Sequence, residues 1–552
     1  MLFIKSNKIR LPTLSLNQYS LLLSTWLAIA LNISFYSKLK ALTPYIGLNS
    51  ILFIVSSMII VIAAYHLLMQ ILLWPYTAKV MSVVLILFGG LSSYFVTNLG
   101  VIISPDQIQN AIQTNLNESR DLMSWALLKW FFFFVILPIL LFIYLPIQKR
   151  PLVKEFGFKI IHIFSSSIII CGTLFIYYVD YASIFRENRD LKGMISPQNL
   201  IASTTSYYLK KAPKKNLPLV HYGTDAHRVQ SIQQKNMPKL MVLVVGETAR
   251  AESFSLNRYT KNTNPELQKQ DILNFSQVSS CGTATAVSLP CMFSGMQRKN
   301  YKEDIALNRE GLLDIAQRAG YKVTWIDNNS GCKDVCNRVE QYTIPQDIKA
   351  KWCDADKECL DEILVDSLKR YIEQIKSTDT QPRLIVLHQM GSHGPAYYKR
   401  STPQYQHFKP MCESKSIQGC SQQELINSYD NSIVYTDHVL SDTIDTLKKL
   451  PHYQTAFWYL SDHGESTGEH GLYLHGSPYA IAPSQQTHIP MVLWFSQKWR
   501  QHHAQQVTCL SNNQQKPLSQ DYLFSTLLNI LDIKSEVMNS EFNMLNQCNS
   551  SV

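Results

Sequence analysis

Five long apolar segments occupy the first third of the chain and limit its fold more strongly than any other pattern in it. A bilayer is crossed by about 20 residues of helix, and each segment is close to that length with few charged residues inside it. Helices buried in soluble proteins are rarely so long and so evenly apolar. We therefore predict five membrane-spanning helices, at Tyr19 to Tyr36, Ile46 to Trp74, Val80 to Val101, Trp125 to Ile147 and Ile160 to Val179.

Basic residues around these segments predict the orientation in the membrane, because cytoplasmic loops are enriched in lysine and arginine. One set of alternate loops holds Lys5, Lys8, Arg10, Lys79, Lys149, Arg150, Lys154 and Lys159. The opposite loops hold chiefly Lys38, Lys40 and Arg120. The N-terminus is therefore predicted to be cytoplasmic, and an odd number of spans places the C-terminal part outside.

The chain of 552 residues is too long for one hydrophobic core, and its character changes along its length. We predict a transmembrane domain at residues 1–180, a linker on the membrane surface at 181–238 and a soluble domain at 239–552. The net charge of +10 favours anionic partners. Because the chain has membrane segments and lacks arginine-rich or aromatic-interleaved motifs, we expect lipid phosphates and no nucleic acid.

Ten of the eleven cysteines lie in the soluble part, and Cys171 lies in an apolar segment. An even number outside the membrane indicates disulfides and an oxidising compartment. Short loops favour pairing between neighbours, although order alone does not prove connectivity. Zinc binding is the alternative, but the spacings do not repeat as two C-x-x-C pairs. The expected pairs are Cys281 with Cys291, Cys332 with Cys336, Cys353 with Cys359, Cys412 with Cys420 and Cys509 with Cys548.

From Lys239 onward, short apolar runs alternate with amphipathic stretches, which is typical of an α/β domain with a mostly parallel sheet. Ligands bind such sheets beyond the carboxyl ends of the strands. We therefore expect chemically important residues just after each strand. The strand candidates are Lys239 to Val245, Lys322 to Ile326, Arg383 to Leu387, Thr455 to Leu460 and Pro490 to Phe495, and the helix candidates include Arg309 to Ala319 and Leu425 to Leu450.

Potential metal ligands follow two of these strands. Glu247 comes just after the first, and Asp462 and His463 follow a later one. Together with the hydroxyl of Thr285 they make a mixed oxygen and nitrogen set suited to tetrahedral zinc. Such an ion would activate Thr285 as a nucleophile. Taken singly, each residue has a structural explanation, such as a helix cap at Thr285 or a turn at Asp462.

Further polar residues extend this group. His393 and His475 also follow apolar runs, and either one suits phosphate binding, proton donation or a second metal. Their neighbours His388, His470 and His488 are weaker candidates. Lys333 lies in a polar loop after a strand and is placed to meet a phosphate there. In the predicted outer-face helix from Pro105 to Arg120, three polar residues are spaced four apart, namely Asn110, Thr114 and Glu118.

Four short motifs, in order behind five apolar segments, resemble the lipid A phosphoethanolamine transferases. They are Gly246-Glu247-Thr248-Ala249-Arg250, Cys281-Gly282-Thr283-Ala284-Thr285, Gly391-Ser392-His393-Gly394-Pro395 and Ser461-Asp462-His463-Gly464-Glu465. That family includes the polymyxin (colistin) resistance enzymes of Gram-negative bacteria. The resemblance covers essentially the whole chain. It implies five transmembrane helices in the inner membrane and a periplasmic catalytic domain of the alkaline phosphatase and sulfatase type.

The resemblance also implies roles for individual residues. Thr285 matches the nucleophile, and Glu247, Asp462 and His463 match the zinc ligands that bind together with it. His393 and His475 match phosphate-site histidines. One zinc ion is expected, and the two histidines leave room for a second. The residues that match the headgroup contacts are Asn329, Ser330 and Lys333. Those that match the lipid donor site are Asn110, Thr114 and Glu118.

The expected reaction moves phosphoethanolamine from phosphatidylethanolamine to a lipid A phosphate through a covalent intermediate on Thr285, in a monomeric enzyme. Another membrane phospho-headgroup transferase, such as a phosphoglycerol transferase of the lipoteichoic acid synthase type, resembles the same architecture. The many cysteines favour the phosphoethanolamine reading, because they suit a disulfide-forming periplasm. A non-catalytic lipid binder and a simple phosphatase or sulfatase are further alternatives.

Overall fold

The structure is a computed structural model, and it describes residues 12–43, 45–114, 119–120, 122–211, 218–229, 237–355, 357–376, 378–414, 417–546 and 548. The chain forms two compact units. Unit 1 comprises Met1–Ile108 and Ser124–Ser206, and unit 2 comprises Gln109–Met123 and Tyr207–Val552. The segment 181–238, predicted as one linker, is thus divided between the two units.

Unit 1 is helical. Among the described residues, four helices are long and apolar enough to cross a membrane, and a fifth span is formed if the bent pair Leu16–Ala30 and Ile33–Leu42 is counted as one. The predicted helical membrane part is therefore confirmed, with four to five candidate spans. The helices up to Ser206 are α1 Leu16–Ala30, α2 Ile33–Leu42, α3 Gly47–Leu72, α4 Ala78–Leu99, α5 Pro105–Gln113 (whose residues from Gln109 onward belong to unit 2), α6 Trp125–Phe131 with its π-helical continuation Phe132–Ile136, α7 Leu137–Tyr144, α8 Leu152–Ile176, α9 Tyr178–Glu187 and α10 Gln198–Ser206.

The first predicted span is broken at Asn32, where α1 and α2 meet at 58°. The Asn32 side chain donates to the carbonyl of Ser196 over 2.9 Å and accepts from the Ser196 amide over 2.8 Å. A buried amide in an apolar bundle is stable only when such partners are present. Hydrogen bonds to a segment far along the chain therefore accompany the bend.

Unit 2 is built on an eight-stranded sheet of order β11-β3-β10-β7-β2-β6-β4-β5. Every pairing is parallel except those of β10, which runs antiparallel to β3 and β7. The predicted mostly parallel sheet is confirmed, and all five predicted strands are present. The strands are β1 His227–Arg228, β2 Lys239–Gly246, β3 Ile272–Ser279, β4 Lys322–Asp327, β5 Glu340–Gln341, β6 Arg383–His388, β7 Gln454–Ser461, β8 Ser466–Thr467, β9 Tyr473–Leu474, β10 His488–Phe495, β11 Leu518–Ser519 and β12 Ile533–Lys534.

The central strands β2, β6 and β7 are buried along their whole length, which explains their continuous apolar sequences. Helices pack around the sheet and cover the apolar core. They are α11 Thr285–Phe293, α12 Glu303–Leu307, α13 Leu312–Arg318, α14 Gln346–Trp352, α15 Glu362–Glu373, α16 Gln422–Lys448, α17 Ser484–Thr487, α18 Gln497–His502, α19 Ala504–Asn512 and α20 Asp521–Ile530.

Disulfides link five pairs of cysteines in unit 2. The bonded pairs are Cys281–Cys291, Cys332–Cys336, Cys353–Cys359, Cys412–Cys420 and Cys509–Cys548. The first of these brackets the start of α11, and the second closes the loop that follows β4.

Candidate active site and metal centre

Two neighbouring parallel strands bring Glu247 and Asp462 together. Gly246 at the end of β2 is in register with Ser461 at the end of β7, so the next residue of each strand emerges at the same edge of the sheet. The Asp462 amide donates to the Gly246 carbonyl over 2.9 Å. Both carboxylates and the adjacent His463 are almost completely buried. The sheet register therefore sets the position of all three groups.

Thr285 reaches the same point from a helix N-terminus. It is the first residue of α11, following the extended residue Ala284, and its side chain is buried. The first-turn N–H groups of a helix and its dipole favour an anion at this end. The Thr285 hydroxyl lies among the polar groups at the strand ends.

The Thr285 hydroxyl donates to Glu247 Oε2 over 2.9 Å, and its Oγ1 lies 3.4 Å from His463 Nε2. His463 Nε2 is also 3.4 Å from Glu247 Oε1 and 3.4 Å from Asp462 Oδ2. The ligand atoms of the three ionisable residues all lie within 4.8 Å of one another. The structure therefore brings the four groups together in one buried cluster.

His463 and Asp462 each have one polar atom that bonds to the backbone, while one oxygen of Glu247 and one of Asp462 have no such partner in the part of the chain that the structure describes. His463 Nδ1 lies 2.8 Å from the Gly464 carbonyl, and Asp462 Oδ1 accepts from the amides of His463 and Thr248. Glu247 Oε1 and Asp462 Oδ2 are buried and accept no well-aligned hydrogen bond from any described residue. Such orphaned oxygens facing an imidazole nitrogen are what a metal site requires. These residues fit a divalent cation such as zinc.

The charges of the cluster agree with this fit. Burial and the Glu247 charge raise the pKa of Asp462 to about 6. Burial alone would lower the pKa of His463, but Asp462 and Glu247 raise it to about 10. The two carboxylates thus draw a proton onto His463. A cation bound by the same three groups would release that proton and balance both negative charges.

Two loops carry the predicted histidines to this cluster. The ring centroid of His475 lies 4.4 Å from that of His463 and 5.5 Å from that of His393. Gly391, two residues before His393, has φ +54°, and a Cβ there would lie 2.4 Å from the Glu247 carbonyl oxygen. Only glycine permits this close approach. His393 and His475 therefore lie beside the cluster.

Two of the competing histidines, His388 and His488, are already engaged, and the side chain of His470 lies outside the described residues. The His388 ring is buried and its Nδ1 lies 2.7 Å from Asp327 Oδ1. His488 Nε2 lies 2.8 Å from the Ser276 carbonyl, within the sheet. Both contacts are those of structural histidines.

The loop after β4 holds the predicted headgroup contacts. Lys333 Nζ donates to Ser330 Oγ over 2.9 Å and is 3.5 Å from the Gln113 carbonyl oxygen. The Asn329 amide donates to Glu247 Oε2 over 2.8 Å. Asn329 therefore contacts Glu247 directly, whereas Ser330 and Lys333 contact each other beside it.

Two of the three residues in the predicted stripe of the outer-face helix, Asn110 and Thr114, lie among the described residues. α5 ends at Gln113, which corrects the predicted helix from Pro105 to Arg120. Thr114 follows the helix and donates to the Asn110 carbonyl over 2.8 Å, and Glu118 lies outside the described residues. Within unit 2, Gln109 donates to the Ala286 carbonyl over 3.4 Å. The middle of α5 thus contacts the first turn of α11.

Sequence reasoning missed Gln520, which connects the segment around Thr285 to the turn after β7. Its Nε2 donates to the carbonyls of Ser461 and Asp462 over 2.7 and 2.8 Å. Its Oε1 accepts from the Cys281 amide over 2.6 Å and from the Ser288 hydroxyl over 2.9 Å. A glutamine just before a helix, as here before α20, gives no local sign of contacts to such distant segments.

Replacing Gln520 by methionine is expected to lower the catalytic rate about 10- to 100-fold, as loss of a residue that orients metal ligands usually does. It should also lower the free energy of unfolding by about 3 kcal/mol, because buried amide and carbonyl groups lose their partners. Steady-state kinetics and thermal unfolding measure the two effects. The matched control is Gln268→Met, an exposed site. Full activity in Gln520→Met would mean that the side chain has no positioning role.

Comparisons with known proteins agree with this geometry. The sulfatase family matches residues 239–533, and the family described as phosphoethanolamine transferase EptA/EptB matches residues 61–212. Phosphoethanolamine transferase EptA of Escherichia coli (strain K12) is 38% identical over 540 residues, which are 97% of this chain and 98% of that protein. Phosphatidylethanolamine transferase Mcr-2 of Escherichia coli is 33% identical over 94% of this chain and 96% of its own.

The fold of the whole chain is also known from a solved structure. The integral membrane protein lipooligosaccharide phosphoethanolamine transferase A (EptA) from Neisseria meningitidis superposes with a TM-score of 0.91 at 34% identity, covering 97% of this chain and 99% of that one. A likeness of this extent includes both units. The chain therefore belongs to the EptA/EptB family of phosphoethanolamine transferases.

Proposed function

We propose that the protein transfers phosphoethanolamine from phosphatidylethanolamine to a phosphate of lipid A through a covalent intermediate on Thr285. The observation that carries this proposal is the buried hydroxyl of Thr285, 2.9 Å from Glu247 and 3.4 Å from His463. The names of two relatives support the substrates, because one acts on phosphatidylethanolamine and another on lipooligosaccharide.

Glu247, Asp462 and His463, with the oxygen of Thr285, would hold one zinc ion, and His393 with His475 would accommodate a second. When bound, zinc supplies Lewis-acid chemistry, lowering the proton affinity of a neighbouring hydroxyl and withdrawing charge from a phosphoryl oxygen. The fit rests on the orphaned oxygens of Glu247 and Asp462.

In the first half-reaction Thr285 Oγ1 attacks the phosphorus of the donor lipid and passes its proton to Glu247 Oε2. The bond from phosphorus to the diacylglycerol oxygen breaks, and that oxygen leaves with the electron pair and takes a proton from His475 or His393. Histidine suits this step because its unperturbed pKa is close to neutral pH. Phosphoethanolamine is then esterified to Thr285.

In the second half-reaction a lipid A phosphate oxygen attacks the same phosphorus, and the bond to Thr285 breaks. Thr285 recovers its proton from Glu247, and the proton of the acceptor phosphate restores the histidine. Burial of Thr285 limits attack by water. The first-turn N–H groups of α11 favour the charged phosphoryl group in both steps.

The substrate contacts beyond the reacting atoms are proposed from their positions. Lys333 and Ser330 would face the donor headgroup, with the lysine balancing phosphate charge. Asn110, Thr114 and Glu118 would contact the lipid donor. Of these, Asn110 follows Gln109, which donates to the Ala286 carbonyl, and the Thr114 hydroxyl donates to the Asn110 carbonyl.

We place the protein in the inner membrane of a Gram-negative cell, as a monomer with a cytoplasmic N-terminus. Residues 1–180 would form the membrane domain, 181–238 the linker and 239–552 the periplasmic catalytic domain. The asymmetry of basic residues and the disulfides of unit 2 support this arrangement. Anchoring beside two lipid substrates raises their encounter rate.

Mass spectrometry of lipid A tests the proposal. A Gram-negative host making the protein should contain lipid A species with added phosphoethanolamine, and the same host with an empty vector should lack them. Unmodified lipid A in the presence of well-expressed, membrane-inserted protein would contradict the proposal. Addition of phosphoglycerol would instead support a transferase of the lipoteichoic acid synthase type.

A further inference from the structure

Both amide hydrogens of Asn329 are used by contacts inside the protein. Its Nδ2 donates to Glu247 Oε2 over 2.8 Å and to the Gln389 carbonyl over 2.7 Å. Its Oδ1 accepts from the Ser330 amide over 2.6 Å. A side-chain amide has two hydrogens to donate, and both are engaged. Asn329 would have to give up one of these bonds to donate to a substrate phosphate.

Two carboxylates, the partly exposed Asp327 and the buried Asp361, hold the loop that carries Asn329. Asp327 accepts from the Gly331 amide over 3.0 Å and lies 2.7 Å from His388 Nδ1. Asp361 accepts from the Asn328 side chain over 2.8 Å. Each carboxylate thus fixes one side of Asn329, so its amide is presented in one orientation.

The loop on the other side of the contact is held in the same way. Asp361 also accepts from the amides of Met390 and Gly391, over 2.9 and 2.8 Å. The Gln389 carbonyl that receives Asn329 therefore belongs to a segment fixed by Asp361. Burial raises the pKa of Asp361, and its bonds from these two amides and Asn328 oppose that rise. One buried carboxylate thus joins the Asn329 loop to the loop that leads to His393.

The two oxygens of Glu247 have different surroundings. Oε2 accepts hydrogen bonds from both Asn329 and Thr285, over 2.8 and 2.9 Å. Oε1 lies 3.4 Å from His463 Nε2 and accepts no well-aligned hydrogen bond from a described residue. The bond from Asn329 therefore determines which oxygen meets the nucleophile and which one remains for a cation.

We propose that Asn329 is a positioning residue for Glu247 and not a hydrogen-bond donor to the substrate phosphate. The inference rests on the proposed zinc-dependent function and deepens it. Partners that orient metal ligands commonly change metal affinity 10- to 100-fold when they are removed. Loss of the Asn329 amide should therefore weaken zinc binding and slow the attack by Thr285, because both depend on the orientation of Glu247.

The test compares Asn329→Leu with wild type as full-length protein in detergent. Zinc affinity is measured by competition with a chelator, and kinetics are measured with phosphatidylethanolamine at saturating zinc. We expect zinc binding about 10- to 100-fold weaker, a lower kcat and an unchanged KM for the lipid. Asn337→Leu is the matched control, because Asn337 is exposed and bonds only to nearby Asp334 among the described residues. It should bind zinc like wild type.

The outcomes separate this inference from the proposed function. Wild-type zinc affinity in Asn329→Leu, together with a raised KM for the lipid, would identify Asn329 as a headgroup contact and overturn the inference alone. Wild-type protein that binds no zinc would overturn the metal centre and the inference with it. If Asn329→Leu fails to fold, Asn329→Ser is measured instead, since it keeps a polar side chain but is too short to bridge Glu247 and Gln389. The same weakening of zinc binding is expected.

Discussion

Thr285→Ala is expected to lose about 10⁴-fold or more of the transfer rate, as enzymes do when a nucleophile is removed. The alanine has no oxygen to attack phosphorus, while Glu247, Asp462 and His463 keep their places at the strand ends. Folding should change little, because the hydroxyl makes only contacts within the cluster among the described residues. The rate is measured with a labelled phosphatidylethanolamine donor and purified lipid A.

The intermediate gives a second measurement on the same residue. Wild-type protein incubated with donor in the absence of acceptor should carry phosphoethanolamine on the peptide containing Thr285, detected by mass spectrometry. The matched control is Thr443→Ala, a buried threonine on α16 whose hydroxyl bonds to the Val439 carbonyl. It should keep the wild-type rate. Normal turnover by Thr285→Ala would exclude the double displacement.

Asp462→Asn is expected to reduce activity by more than about 100-fold. Loss of a residue that only orients a metal ligand already lowers activity by up to about 100-fold, and Asp462 is itself a proposed ligand. The amide keeps the size of the side chain and the oxygen that accepts from the His463 and Thr248 amides. It loses the charge that faces His463. Activity, zinc content and thermal unfolding are measured on the same preparations.

Removing zinc from wild-type protein with a chelator should reproduce the effect of Asp462→Asn, and adding zinc back should reverse it. Zinc at about 1,000 times its Kd stabilises the folded state by about 4 kcal/mol, so Tm should fall on chelation. Asp442→Asn is the control, because Asp442 pairs with Lys369 on a partly exposed face. Full activity of the chelated enzyme would show that the cluster works without a cation.

The strand ends made much of the site predictable. Parallel strands deliver the residues that follow them to one edge of the sheet, so Glu247 and Asp462 were expected to meet. Gly246 and Ser461 are in register, so Glu247 and Asp462, which follow them, lie side by side. Long uniform apolar runs likewise indicated membrane helices, since few other structures bury so many apolar residues in sequence.

Contacts between distant segments were not predictable in this way. Gln520 joins Cys281 to Ser461, and Asn329 joins Gln389 to Glu247, across gaps of 59 or more residues between bonded partners. The break at Asn32 likewise involves Ser196, 164 residues away. β3 was also missed, because its partly exposed residues alternate in burial and give no continuous apolar run.

The amino-acid sequence was enough to predict the positions of the apolar helices, the order of the central strands along the chain and the chemical types of the groups at the strand ends. These follow from local periodicity and from where a strand must stop. Only the tertiary structure decided which atom of each side chain faces the others, such as Glu247 Oε2 toward Thr285 and Asn329 and Oε1 toward His463. Hydrogen-bond directions depend on partners that the fold brings together, and no local pattern records them.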